Sequence, residues 1–211
     1  MKPIVGYHLI LTAYGFWLPN DPRGSWSDFV RSWELFRYGG PVNRVWDRRS
    51  HARDKHDRRK RLELKKHLAR NPIAFTGLQA RAIARGFARF AERSGIVILA
   101  CAIMPDHVHL VILTHKYSIE KIATLLKGAA TADLIREGLH PFKDKPYKNG
   151  SLPTPWARKH WKVFLHEEDL PRACKYADDN PPRGGVQEAE LVVRKTRCAT
   201  EAMKVDLRSD R

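Results

Sequence analysis

The chain has only three cysteines, Cys101, Cys174 and Cys198. They are odd in number, widely spaced and form no CxxC pair, which excludes a disulfide framework and fits a reducing cytoplasm. No stretch supplies the roughly 18 consecutive apolar residues of a membrane-spanning helix. The one candidate leader, the apolar run over residues 4–18, is interrupted by Gly6, Tyr7, His8 and Tyr14 and has no small-residue cleavage site after it, so it reads as a buried strand. There is no GxxxxGK[ST] phosphate loop, no internal repeat and no low-complexity tract, which argues against nucleotide hydrolysis and against a solenoid. Acids are scarce too. Against 39 lysines and arginines stand 23 aspartates and glutamates, a formal charge of +16 and a pI near 10.1. A polyanion is the expected partner, nucleic acid or a membrane surface, and the lack of a spanning stretch rules out a transmembrane protein.

What is present suffices for one sizeable core: 211 residues, 43% of them hydrophobic. Residues 5–17, VGYHLILTAYGFW, are rich in β-branched and aromatic side chains and predict a first strand, closed by the turn-forming NDPRG. Residues 20–70 change character and read as an insertion. Between Arg44 and Arg70 there are twelve lysines and arginines against four acids, so half of the excess charge lies in about an eighth of the chain. Such a run is either a solvated helix face, laced with pairs such as Glu63 with His67, or an electrostatic footprint for a polyanion.

Further on, Leu78, Ala82, Ile83, Phe87 and Phe90 recur at helical spacing within residues 76–94, and Gly95 supplies a stop. IVILACAIM, the turn-like Pro105 and Asp106, and HVHLVIL then predict two antiparallel strands, with Cys101 as a small core residue. Residues 118–136 predict a second helix, residues 140–155 a loop, HWKVFLH a short strand and EEDLPRACKYADDN a last helix. The order is that of an α+β, ferredoxin-like split βαβ sandwich with an antiparallel sheet, a basic insertion after strand 1 and a C-terminal helix carrying Tyr176. That last helix is placed to cover the sheet face the other two leave open. The expected domain spans residues 1–185, with a C-terminal tail over 186–211.

Within HVHLVIL, strand alternation sends His107, His109, Val111 and Leu113 to one face and Val108, Leu110 and Ile112 to the other. Two imidazoles sharing a face can chelate one divalent ion; they can also be a structural pair that accepts some desolvation cost. Tyr176 and Asn180 lie four apart on the last helix, on one side of it. Over the histidines, an amide oxygen could complete a metal site and a phenol could act as a nucleophile on a phosphodiester. The plainer alternatives are an aromatic core residue and a helix-terminal asparagine before proline.

CAIMPDHVHLVI followed by HWKVFLHEEDLPRACKYADDNPPRGG resembles the single-tyrosine HUH transposases, especially the REP-associated tyrosine transposase group of bacterial mobile elements. The resemblance also takes in YHLILTAYGFWLPNDPRGSW, so its blocks run over residues 7–185. It implies that His107 and His109 bind a divalent metal, Mg2+ or Mn2+, that Tyr176 attacks single-stranded or hairpin DNA, and that Asn180 stands where relatives carry a polar third ligand. The chemistry implied is transesterification: a 5′-phosphotyrosine forms, a 3′-hydroxyl is released, and the ester stores the bond for rejoining. Relatives with glutamine at the third-ligand position, and the long basic insertion, are the departures.

Arg58, Arg59, Lys60, Arg61, Lys65 and Lys66 of the insertion, with Arg158, Lys159 and Lys162 near the fourth strand, are the expected nucleic-acid contacts. Of Trp26, Trp33, Trp46, Trp156 and Trp161, one or two are expected to stack on bases, with Trp161 packing beneath the sheet. The protein is expected in the bacterial cytoplasm, at the nucleoid and with no membrane partner; the resemblance leaves both a monomer and a homodimer open. Two other functions compete: a non-catalytic nucleic-acid-binding protein on the same fold, and a metal-dependent hydrolase in which Tyr176 is structural.

Overall fold

The computed structural model describes residues 2–18, 21, 55 and 57–179. Asn180, Cys198, the tryptophans at 26, 33 and 46, most of the insertion and the tail lie outside the described residues. The order is β1 (Gly6–Ala13), α1 (Arg58–Lys66), α2 (Gly77–Ser94), β2 (Ile98–Ile103), β3 (His107–Leu113), α3 (Ile119–Arg136), β4 (Trp156–Leu165), a 3₁₀ turn (Glu167–Asp169) and α4 (Leu170–Asp178). The four strands form one sheet in the order β2-β3-β1-β4, with every neighbouring pair antiparallel. This is the split βαβ arrangement, an α+β fold.

Local chemistry sets the boundaries. α2 opens on a reciprocal capping box between Thr76 and Gln79 and closes on Gly95 in the left-handed conformation. Ser118 caps α3 by accepting from the Lys121 N–H, and Asp57 caps α1 by accepting from that of Lys60. β1 is shorter than its apolar run: it ends at Ala13, because Gly15 turns the chain at φ +86° directly against Pro72, where a Cβ would lie 2.7 Å from the proline ring. β4 is longer than its apolar pattern and begins at Trp156, since pairing with β1 extends past a register shift to Ala13. Its irregular start is held by the Lys127 ammonium, which donates to the carbonyls of Ala157 at 2.8 Å and Lys159 at 2.9 Å. The last helix also starts later than its sequence suggests, with Glu167–Asp169 forming the 3₁₀ turn and Pro171 in the first α-helical turn.

Each sheet face has its own core. Leu9, Leu11, Val108, Leu110 and Ile112 point toward Ile83 and Phe87 of α2 and Leu126 of α3, and this is the main core. Trp156 is fully buried there, its indole N–H donating to Lys127 O and Thr131 Oγ1, both at 3.2 Å. It is a packing residue. Leu78, counted in the helical repeat, is more than half exposed. Cys101 packs against this core, and burial pushes its thiol up to about 12, an inert state. On the opposite face Ala100, Val111 and Leu165 meet Leu170, Ala173 and Ala177 of α4. The small Ala173 and Ala177, four apart on one side of α4, let that helix lie close over the face that carries His107 and His109. Among the described residues no helix is long and apolar enough to cross a membrane.

Candidate active site under the last helix

Strand register assembles the site. β1 pairs with β3 through Thr12↔His107, Ile10↔His109 and His8↔Val111, so His8, Ile10 and Thr12 share a face with both histidines. The Nε2 atoms of His107 and His109 face each other at 2.9 Å. Their outer nitrogens are each engaged: His107 Nδ1 meets Asp106 Oδ1 at 2.6 Å, and His109 Nδ1 meets His8 Nε2 at 2.9 Å. The sequence alone does not single out Asp106 or His8. Asp106 reads there as a turn residue, although a carboxylate next to a ligand-type histidine is a usable signal; His8 reads only as a break in an apolar run.

Burial dominates the electrostatics. Desolvation, reinforced by the neighbouring His107 and His8 and opposed by Asp106, pushes His109 down to about 2. Desolvation, with His107 second, pushes His8 down to about 4. Both imidazoles are therefore neutral at physiological pH, the state in which imidazole binds a metal. The facing Nε2 atoms of His107 and His109 also fit a cation by size. Two donors at about 2.05 Å from one ion and about 90° apart stand about 2.9 Å from each other. An outer carboxylate and an outer imidazole are the partners that orient ligand histidines. Among the described residues no three His, Cys, Asp or Glu side chains are disposed around one cation, because His8 and Asp106 face the backs of the pair.

α4 brings Tyr176 to the same place. Its ring centroid lies 5.4 Å from that of His109, at 90°, and 5.7 Å from that of His8. His109 is 4% exposed, His107 partly buried and Tyr176 48% exposed, so the histidine pair sits beside a phenol that a macromolecule can reach. The other described tyrosines are engaged elsewhere. Tyr117 meets His115 edge-on and Tyr147 lies under Arg70.

Aromatic side chains border the histidines on β4's side. Ile10↔Trp161 pairing puts Trp161 on the histidine face, not beneath the sheet in the main core as the sequence suggests. Its ring meets that of Trp17 edge-on at 6.4 Å, and Trp17 lies 6.3 Å from the His107 ring. Trp17 has φ +52°, a conformation costly for a bulky residue and concentrated at functional sites.

The basic residues divide. On α1, Arg58 and Arg59 are exposed, while Lys60 reaches Asp57 at 3.9 Å, Arg61 reaches the buried Asp21 at 3.8 Å and Lys65 lies over the Phe16 ring at 4.2 Å. Glu63 pairs with Lys66 at 2.7 Å, three residues on, and the charge of His67 adds to that of Lys66 in holding its carboxyl below the usual range. Arg158 and Lys159 are exposed, and Lys162 pairs with Glu120 of α3.

Fold and site together define an α+β protein whose sheet presents two facing histidines beneath a tyrosine-bearing helix. Residues 68–179, more than half of the chain, match the family model of IS200-like transposases, and the chain belongs to that family. It is a DNA transposase. Solved structures similar to it include a candidate transposase from Deinococcus radiodurans R1, 16% identical over 84% of this chain and 92% of that one, with a TM-score of 0.39. Another is a REP-associated tyrosine transposase bound to a REP hairpin, 10% identical over 88% of this chain and 72% of that one, with a TM-score of 0.43. No curated protein matches the chain.

Proposed function

We propose that this transposase nicks and rejoins single-stranded DNA by tyrosine transesterification, with Tyr176 as nucleophile and His107 and His109 as metal ligands. One observation carries the reading: the Tyr176 ring sits 5.4 Å from that of His109, whose Nε2 faces His107 Nε2 at 2.9 Å. A divalent cation, Mg2+ or Mn2+, would neutralise charge on the scissile phosphate. Asn180, two positions after the last residue of α4, is assigned as a further donor. The Tyr176 oxygen bonds to phosphorus as the bond from phosphorus to the 3′ oxygen breaks, leaving a 5′-phosphotyrosine and a free 3′-hydroxyl. A second 3′-hydroxyl reverses the step and restores the phenol, so no nucleotide hydrolysis is needed.

The partner in this reading is single-stranded or hairpin DNA. Arg58, Arg59, Arg158 and Lys159 are exposed cations suited to its backbone. The test is Tyr176→Phe, which removes one oxygen and keeps the ring. Incubated with Mn2+ and end-labelled single-stranded DNA carrying the flanks of the encoding element, wild type should give a covalent protein–DNA band on a denaturing gel. The variant should bind the same DNA and give none. A band that persists in Tyr176→Phe overturns the assignment and points to Tyr117 or Tyr147.

A further inference from the structure

We propose that His8 is the positioning residue of the histidine pair: it holds the proton of His109 on Nδ1 so that His109 Nε2 can face a cation, and cation binding switches the tautomers of both His109 and His8. The inference rests on the reading of His107 and His109 as metal ligands.

Proton counting leads there. A neutral imidazole has one N–H and one acceptor nitrogen, and each hydrogen bond uses one proton. Three contacts run in a line: Asp106 Oδ1 to His107 Nδ1 at 2.6 Å, His107 Nε2 to His109 Nε2 at 2.9 Å, and His109 Nδ1 to His8 Nε2 at 2.9 Å. The Asp106 carboxylate only accepts, so the His107 proton lies on Nδ1 and its Nε2 is bare. His109 then has to donate from Nε2, which leaves its Nδ1 bare, and His8 has to donate from Nε2. For three neutral imidazoles this is the one arrangement that makes all three bonds.

Two ligands around one cation require the opposite at His109. Both Nε2 atoms must offer lone pairs, so the His109 proton moves to Nδ1. The atom facing it there is His8 Nε2. His8 must therefore become an acceptor, with its own proton on Nδ1. Two N–H bonds break and two form by exchange with water, and no net proton is released. His107 keeps its tautomer throughout. With alanine at position 8, the N–H of a histidine that is 4% exposed would lose its acceptor in the metal-bound form.

The test uses the full-length protein. In 15N–1H spectra of histidine-labelled wild type, Mg2+ or Zn2+ should move the protons of His109 and His8 from Nε2 to Nδ1 and leave His107 as Nδ1–H. Mn2+ affinity, read from the free-ion electron paramagnetic resonance signal, should fall about 10–100-fold in His8→Ala. His8→Gln, which keeps an acceptor oxygen, should recover most of the loss, and thermal melts of the metal-free proteins check that the fold is shared. Unswitched tautomers, wild-type affinity in His8→Ala, or a glutamine no better than alanine each overturns the proposal. The wild-type spectrum decides even where His8→Ala fails to fold. A wild type that neither binds Mn2+ nor nicks DNA overturns the ligand reading along with it. A wild type that does both while His8→Ala binds Mn2+ equally well removes only the role of His8.

Discussion

Two glycines inside helices of the same layer should respond to alanine with opposite signs. Helix propensity alone favours alanine over glycine by about 1 kcal/mol in a helix interior. At Gly128 of α3 nothing lies within 4 Å of an added Cβ, so Gly128→Ala should stabilise the protein by about 0.5–1 kcal/mol. At Gly86 of α2 an added Cβ would stand 2.8 Å from Ala129 O and 2.8 Å from Ala130 Cα, both backbone atoms of α3. Backbone cannot rotate away as a side chain can. The two helices must separate, and Ile83, Phe87 and Leu126 lose contact with the sheet; overpacking of this kind costs about 1–3 kcal/mol. Subtracting the propensity gain leaves a net destabilisation of about 1 kcal/mol, or a fall of about 2–4 °C in melting temperature for a chain of this size. Urea and thermal melts of wild type, Gly86→Ala and Gly128→Ala read the contrast directly. If Gly86→Ala is as stable as Gly128→Ala, the close approach of α2 and α3 is not what requires glycine there, and the packing argument fails.

Replacing both His107 and His109 by alanine should abolish nicking at any Mn2+ concentration while leaving most of the electrostatic DNA binding. Nicking at the wild-type rate would refute the metal assignment. On α1, neutralising the exposed Arg58 and Arg59 should lower the slope of log affinity against log salt by about 1.4, at ~0.7 per lost single-strand phosphate contact. Arg61 belongs outside that pair, because it reaches the buried Asp21 and its loss would show as instability instead. An unchanged slope moves the DNA path off this helix.

The fold was largely legible because its signals are local. Capping at Thr76 and Ser118, the stop at Gly95 and the period-2 run of β3 each depend on a few neighbouring residues. Where prediction missed, long-range pairing had the last word. β1 stops at Ala13 because of Pro72, nearly sixty residues on, and β4 starts at Trp156 because Ala13 pairs with it and Lys127 holds its carbonyls. Trp161 faces the histidines for a related reason: alternation fixes which residues share a face, whereas only the pairing with Ile10 says which face that is.

The site divides along the same line. His107 and His109 belong to one strand, so period-2 geometry is enough to set them side by side. Their supporting partners differ in kind. Asp106 adjoins His107 in sequence, and its contact needs only the β2–β3 turn. His8 meets His109 across 101 positions of sequence, through the antiparallel register of β1 against β3. A shift of one residue in that register would turn His8 toward the main core and replace it with Tyr7 or Leu9. The burial of Leu9 and Leu11 opposite Leu110 and Val108 is what forbids the shift. The same leucines that make β1 look like an ordinary buried strand therefore aim its histidine at the site, and the hydrophobic core sets the alignment of the polar one.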